Sequence, residues 1–260
     1  MVTNKKIVLL GRQDRPTAIL YNSLRAEFLV AKVIVEEGEP KLKFLKRRIK
    51  RLGLQKVVGQ VAFRTIVVPW LERTSRQRVR EIVQQFGLDP SPIPPMEMIS
   101  VKSVNSQECI QALRVLRPEV VVVSGTRIIS GRVLSCIPAV FINMHAGITP
   151  MYRGVHGGYW ALVEGDRDGC GVTVHLVDTG VDTGPTLGQA QITPDHGDNF
   201  LTYPLLQQAA GLPLLKKAIL DVCEDRHRLA RALAPKGTSR LWTHPTLIEY
   251  VYRRFRFGVK

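Results

Sequence analysis

Residues 139–154 read AVFINMHAGITPMYRG. Ala139 to Ile142 is a short apolar run with strand character, and it gives way to a loop punctuated by Gly147, Pro150 and Gly154. Where the run ends, Asn143 and His145 place an amide and an imidazole two residues apart, so period-two alternation sends both to the same side. A second stretch, residues 171–185, reads GVTVHLVDTGVDTGP. Its β-branched alternation from Val172 to Val177 predicts another strand, and the turn-rich segment after it carries Asp182. An amide, an imidazole and a carboxylate at the ends of buried strands suit acyl-transfer chemistry on a rigid sheet. Each group also has a plainer reading. His145 is then a satisfied core or surface histidine, Asp182 caps its turn through an Asx-type bond, and Asp178 competes with it for any catalytic role.

Working outward, Ile7 to Leu10 reads as a buried strand stopped by Gly11. A helix is expected from Thr17 to Phe28 and a strand from Ala31 to Glu36, the layout of a parallel crossover unit. Gly11-Arg12-Gln13-Asp14 lacks the GxGxxG fingerprint, so no nicotinamide cofactor is expected. Val120 to Val123, four valines between Pro118 and Gly125, is the clearest buried strand. A helix from Ser106 to Leu116 precedes it. Thr186 to Ile192 reads as the hairpin partner of 172–177, and Phe200 to Asp221 as a helix strained by Pro204 and Pro213. The predicted fold is α/β, a Rossmann-like open sheet that is mostly parallel. Loops at the carboxyl ends of its strands, including those with Arg127 and with Asn143 to Gly154, then face one crevice.

The 260 residues carry a formal net charge of +15 and a pI near 10.1, which points to an anionic partner. Residues 41–80 hold thirteen Lys or Arg against one acid, Glu72. Leu42, Leu45, Ile49 and Leu52 fall on one helical face there, and a second amphipathic piece runs from Leu54 to Val68. This stretch reads either as solvated helices inserted in a crossover (about 39–85) or as a basic amphipathic surface for anionic lipid or a phosphorylated substrate. Phe63 and Trp70 are interfacial anchors in the second reading and core residues in the first. Four prolines in residues 90–95 mark a stiff loop. Four scattered cysteines, with no CxxC pair, suggest reduced thiols. No apolar run approaches a membrane span and the N-terminal apolar run is too short for a signal peptide, so a cytoplasmic protein is expected, with peripheral membrane contact open. Residues 1–222 are expected to form the main domain. Residues 223–260 form an extension, whose aromatic and basic part from Ala234 to Lys260 docks on it.

The two motifs resemble those of the folate-dependent formyltransferases. NMHAGITPMYRG is similar to N-x-H-x-S-L-L-P-x-x-x-G, and GVTVHLVDTGVDTGPTL to G-[VI]-T-x-H-x-[VM]-x-x-x-[VIL]-D-[TS]-G-P-[VI], over roughly Pro118 to Ile192. The resemblance implies formyl transfer from 10-formyltetrahydrofolate to a primary amine, with Asn143, His145 and Asp182 as the catalytic groups. It puts the loop Arg127-Ile128-Ile129, with Val177 and Asp178, on the pterin side, and Arg153, Gly154 and His156 on the substrate side. Asp182 is expected to raise the pKa of His145. Ala146-Gly147-Ile148-Thr149 departs from x-S-L-L, which bears on loop geometry more than on the chemistry. No resident metal is expected.

Subfamily features select the acceptor by elimination. Transfer-RNA formyltransferases carry a further β-rich domain, for which little chain remains after Asp221. Glycinamide ribonucleotide enzymes lack the basic insertion and the aromatic tail. The expected acceptor is therefore the amino group of a nucleotide-linked aminosugar in cell-surface glycan synthesis, with glycinamide ribonucleotide or another small amine as the alternative. The expected partner is a phosphate-bearing small molecule rather than nucleic acid, and a homo-oligomer is expected. Two other classes stay open: a non-catalytic membrane or nucleic-acid binder on the transferase fold, and a metal hydrolase using His145, His156 and Asp182.

Overall fold

The computed structural model describes residues 3–224 and 238–260. Strand β1 (Thr3–Gly11) leads to Asp14, whose carboxylate accepts the Thr17 N–H and caps α1 (Arg15–Arg25). Pro16 sits in the first turn, where its missing N–H costs nothing. The helix therefore starts and ends earlier than its apolar spacing suggests, and Phe28, expected in the helix, opens β2 (Phe28–Glu36) instead.

The basic segment folds as α2 (Lys41–Leu52), α3 (Leu54–Ala62), a π-turn at Phe63–Val67, α4 (Val68–Thr74) and α5 (Arg76–Gln85). Then come β3 (Met98–Val101), α6 (Gln107–Leu116), β4 (Val120–Val123), a short α7 (Gly131–Leu134) and β5 (Val140–His145). The remainder comprises β6 (Tyr152–Gly154), α8 (Gly157–Val163), β7 (Gly171–Leu176), β8 (Thr186–Gln191), α9 (Tyr203–Cys223), β9 (Arg240–Trp242) and α10 (Leu247–Phe257). Helix α9 starts at Tyr203 rather than Phe200. Pro204 occupies its first turn at no cost, and Pro213 is carried inside it. The boundary expected between 222 and 223 falls in the last turn of α9, and residues 225–237 of the expected extension lie outside the described residues.

Seven strands form one sheet in the order β3-β2-β1-β4-β5-β7-β8. Pairing is parallel from β3 to β5 and antiparallel at β5–β7 and β7–β8. The sheet is thus the mostly parallel, Rossmann-like one the apolar runs imply. Alternation divides its residues between two cores. Ile7, Leu9, Val120, Val122, Ile142 and Val174 meet α1 and α9, whereas Val8, Leu10, Val121, Val123 and Phe141 meet α6 and α7. Strand β4 reads as unbroken valine because both its faces are covered.

A third core joins the insertion to the chain's end. Phe63, fully buried, lies 5.0 Å from the Phe200 ring and 5.1 Å from Tyr250, with Val67, Leu71, Tyr159 and Trp160 around them. Phe63, Val67 and Leu71, each four residues on from the last, share one buried stripe that runs through the π-turn. Phe63 is therefore core, and Trp70 remains half exposed with the Arg254 guanidinium 5.0 Å above its ring.

Candidate active site

Strand β5 runs antiparallel to β7 in a register that sets Asn143 opposite His175 and His145 opposite Thr173. The loop after β7 then returns Asp182, at a left-handed φ of 52°, to the same face. The Asp182 carboxylate lies at the centre of the cluster. Its Oδ2 accepts the Gly154 N–H at 2.8 Å and stands 3.4 Å from His145 Nδ1. Its Oδ1 is 3.4 Å from Asn143 Nδ2 and 3.6 Å from His175 Nε2.

The surrounding carbonyls set the tautomers. His145 Nε2 lies 2.6 Å from the Tyr152 carbonyl, which only accepts, so Nε2 carries a proton and Nδ1 is left facing Asp182. His175 Nδ1 lies 2.8 Å from the Leu176 carbonyl, so its Nε2 is the acceptor for the Asn143 amide at 3.1 Å. One Asn143 N–H is thereby held short, and the other spans the longer gap to Asp182.

Asp182 is mostly buried, and burial pushes its pKa upward. The facing imidazole of His145, the neighbouring His175 ring and the Gly154 N–H together outweigh that and hold it below the ordinary carboxylate range. For His145 the balance is opposite to the sequence expectation. Full burial dominates the attraction of Asp182 and lowers the imidazole's pKa, so the ring is neutral at physiological pH.

Of the residues expected on the substrate side, Gly154 reaches the cluster through its N–H. Arg153 bridges the loop to the chain's end, donating Nε to Ser239 Oγ at 3.0 Å and Nη1 to the Val181 carbonyl at 3.4 Å. His156 turns away from His145 and Asp182. Its Nε2 meets His244 Nδ1 at 3.0 Å and its ring lies against Phe200. The three ligands of the metal-hydrolase reading are therefore not brought together, and among the described residues no three His, Cys, Asp or Glu side chains are grouped to hold a metal ion.

Gly154 is where the active loop is sewn to the C-terminal segment. Strand β6 pairs with β9, and with φ at +95° a Cβ on Gly154 would run into the Trp242 carbonyl. Gly154→Ala is expected to destabilise the protein by about 1–3 kcal/mol, measured as a shift in the urea midpoint. The buried histidines add a pH dependence. His145, His156 and His244 all have lowered pKa values, His244 to about 4, each mainly through burial. Because the folded state disfavours their charged forms, stability is fully present above about pH 6.5 and falls as the pH drops toward 4. Urea titrations across that window at fixed ionic strength should show the midpoint declining.

On the expected pterin side, Arg127 is a clamp. Its N–H donates to the buried Glu36 carboxylate at 2.7 Å, and its guanidinium donates to the Glu37 carbonyl at 2.7 Å and the Lys102 carbonyl at 3.2 Å. Asn105 holds the Ile128 carbonyl, leaving the Ile128 side chain exposed as an apolar shelf beside the buried Ile129. Val177 continues the sheet by donating its N–H to the Phe141 carbonyl. Asp178 accepts from Thr183 Oγ1 and the Gly180 N–H, so it caps the loop that presents Asp182. A cavity of about 870 Å³ opens on the other face of the same strand end. Met144, Ala146, Ser124 and Gly125 line it, with Arg15, Arg76 and Arg80 among the remaining lining residues. Asn143 and His145 face away from it by alternation, and the two regions meet where Ala146 follows His145.

His175 was not singled out from sequence as a site residue. Its alternation with Thr173 was visible, but only the antiparallel register places it opposite Asn143. The Tyr152 carbonyl that fixes the His145 tautomer left no trace in side-chain chemistry.

The same arrangement of strands is found in solved structures. Glycinamide ribonucleotide transformylase 1 from Symbiobacterium toebii aligns with a TM-score of 0.56 at 20% identity, covering 88% of this chain and 94% of that one. A sugar N-formyltransferase from a Shewanella species aligns with a TM-score of 0.56 at 13% identity, covering 92% and 76%. These likenesses establish the fold. In sequence, methionyl-tRNA formyltransferase from Caldanaerobacter subterraneus subsp. tengcongensis is 33% identical over 155 residues, 59% of this chain and 48% of that protein. The enzyme of that name from Thermodesulfovibrio yellowstonii is 35% identical over 142 residues, 54% and 43%. Each match thus spans less than half of the relative's length. The profile of the family described as Formyl transferase matches residues 62–204, which takes in more than half of the chain together with Asn143, His145, His175 and Asp182. The chain belongs to the formyl transferase family.

Proposed function

We propose that the protein transfers a formyl group from 10-formyltetrahydrofolate to a primary amine, with Asn143, His145 and Asp182 as catalytic residues. The observation that carries this reading is the convergence of the three side chains on one face of the β5 end, with Asp182 within 3.4 Å of both others. The cosubstrate supplies an activated formyl carbon, and the exposed Ile128 offers an apolar shelf for its flat ring. When an amine attacks that carbon, negative charge develops on the formyl oxygen. The Asn143 N–H now spending itself on a 3.4 Å contact to Asp182 is the donor positioned to take up that charge. His175 keeps the amide from rotating by accepting the other N–H.

The attacking nitrogen must shed a proton. Asp182, held ionised by its neighbours, accepts it directly or through water, and the neutral His145 Nδ1 at 3.4 Å is the next acceptor in line. Returning that proton to the departing folate nitrogen balances the reaction. No oxidant, reductant or metal is required.

For the acceptor we favour a phosphate-bearing small amine, a nucleotide-linked aminosugar foremost. Arg15, Arg76 and Arg80 support it, three guanidinium groups against the two carboxylates of Asp14 and Glu72 in the lining of a cavity of about 870 Å³, since guanidinium groups bind phosphate oxygens bidentately. Methionyl-tRNA is the second reading, favoured by the names of the sequence relatives. The test offers 10-formyltetrahydrofolate with each amine in turn: nucleotide-linked aminosugars, glycinamide ribonucleotide and methionyl-tRNA. Release of tetrahydrofolate with an aminosugar alone supports the first reading, and release with methionyl-tRNA alone replaces it by the second.

A further inference from the structure

Helix α2 carries seven Lys or Arg in twelve residues, yet buries none of its side chains. Leu42, on its apolar stripe, is 70% exposed, and Leu45 is also open to solvent. The next helices behave differently on their two sides. Val57 is buried and Phe63, Val67 and Leu71 are sealed in the third core, while Val58, Val61, Ile66 and Trp70 stay exposed. Their spacing of three, five and four has its longest step across the π-turn.

Helix α10 extends this surface from the far end of the chain. It lies against α3 and the π-turn, with Tyr250 buried in the shared core. Its outward positions carry Val251, Tyr252 and Phe255, the last 85% exposed, among Arg253, Arg254 and Arg256. Arg254 over the Trp70 ring joins the two exposed faces. Large aliphatic and aromatic side chains left in water over several helices, interleaved with cations, are unusual for a surface that stays in water.

We infer that α2, the outer stripe of α3 to α4, and α10 form a docking face for an anionic phospholipid bilayer. The charge supports that occupant, because residues 41–74 carry ten cations against one acid, which is complementary to a negatively charged leaflet. The apolar side chains decide between lipid and nucleic acid. Leu42, Val58 and Ile66 neither stack on bases nor bond phosphates, whereas the headgroup and acyl boundary accepts aliphatic groups and cations together. No helix among the described residues is long and apolar enough to cross a membrane, so the contact is peripheral. This face is distinct from the cluster around Asp182 and does not depend on the acceptor assigned to it.

The test floats the full chain with vesicles of phosphatidylcholine alone and of phosphatidylcholine mixed with an equal amount of phosphatidylglycerol. The protein should rise with the mixed vesicles and stay down with the neutral ones, and Trp70 emission should shift to shorter wavelength on binding. Lys46→Ala with Lys50→Ala should weaken the partition by about twenty-five-fold, as one cation near such a surface is worth roughly a factor of five. Trp70→Ser with Phe255→Ser, both outward-facing, should abolish the spectral shift and most of the binding while leaving the circular dichroism unchanged. Failure to float with mixed vesicles overturns the inference, as does equal binding to both kinds. It is also overturned if duplex RNA binds more tightly than vesicles and the apolar substitutions leave that binding unchanged, or if the same substitutions dissolve a dimer without altering flotation.

Discussion

Asp182→Asn is expected to lower kcat by about 10²- to 10⁴-fold, the range typical for loss of a positioned proton acceptor. The substitution is chosen because asparagine tolerates the left-handed backbone at this position and its side-chain oxygen still accepts the Gly154 N–H. The loop is therefore retained, and the urea midpoint should move little near neutral pH beside the collapse in turnover. Losing the charge also removes the neighbour that favours a proton on His145 Nδ1, so the His145 pKa should fall further, read from its imidazole resonances in an NMR pH titration. Near-normal turnover in this variant would move proton acceptance away from Asp182. Asp178 is a poor heir to the role, since its two oxygens are committed to Thr183 and Gly180.

Asn143→Ala is expected to cost about 2.7–4 kcal/mol in kcat/KM, or 10²- to 10³-fold, the usual effect of removing one donor to a developing oxyanion. The loss should fall on kcat more than on KM, because the donor matters most once charge has developed. His175→Ala should reproduce part of this effect without touching the reacting atoms, since it releases the amide that Asn143 presents. Steady-state kinetics of the two single variants and the double variant measure the coupling, which should be clearly non-additive.

The parts of this molecule legible in the sequence were those governed by local pattern. Four consecutive valines bounded by Pro118 and Gly125 could only be a strand covered on both faces, and Asn143 and His145 had to share a side because a strand alternates. The misplaced helix ends came from reading apolar spacing alone, when Asp14 as a cap and Pro16 and Pro204 in first turns set the true starts. The direction of the His145 pKa is not legible in the motif, which supplies the charge partner Asp182 but not the depth of burial that outweighs it. Long-range pairing was equally silent. Nothing in the tail announces that residues 240–242 pair with 152–154, or that Tyr250 and Phe63 close one core. The basic segment is legible by charge, but its division into a sealed stripe and an open one depends on packing against Phe200 and Tyr250, far along the chain, which leaves no local mark.

The most direct measurement of the central claim is tetrahydrofolate release from 10-formyltetrahydrofolate by the purified protein, with and without each candidate amine, alongside Asn143→Ala and Asp182→Asn. Amine-dependent release by the wild-type protein, reduced at least a hundred-fold in both variants, is the result this site predicts. Absence of amine-dependent release across the panel, or release undiminished in both variants, would contradict it.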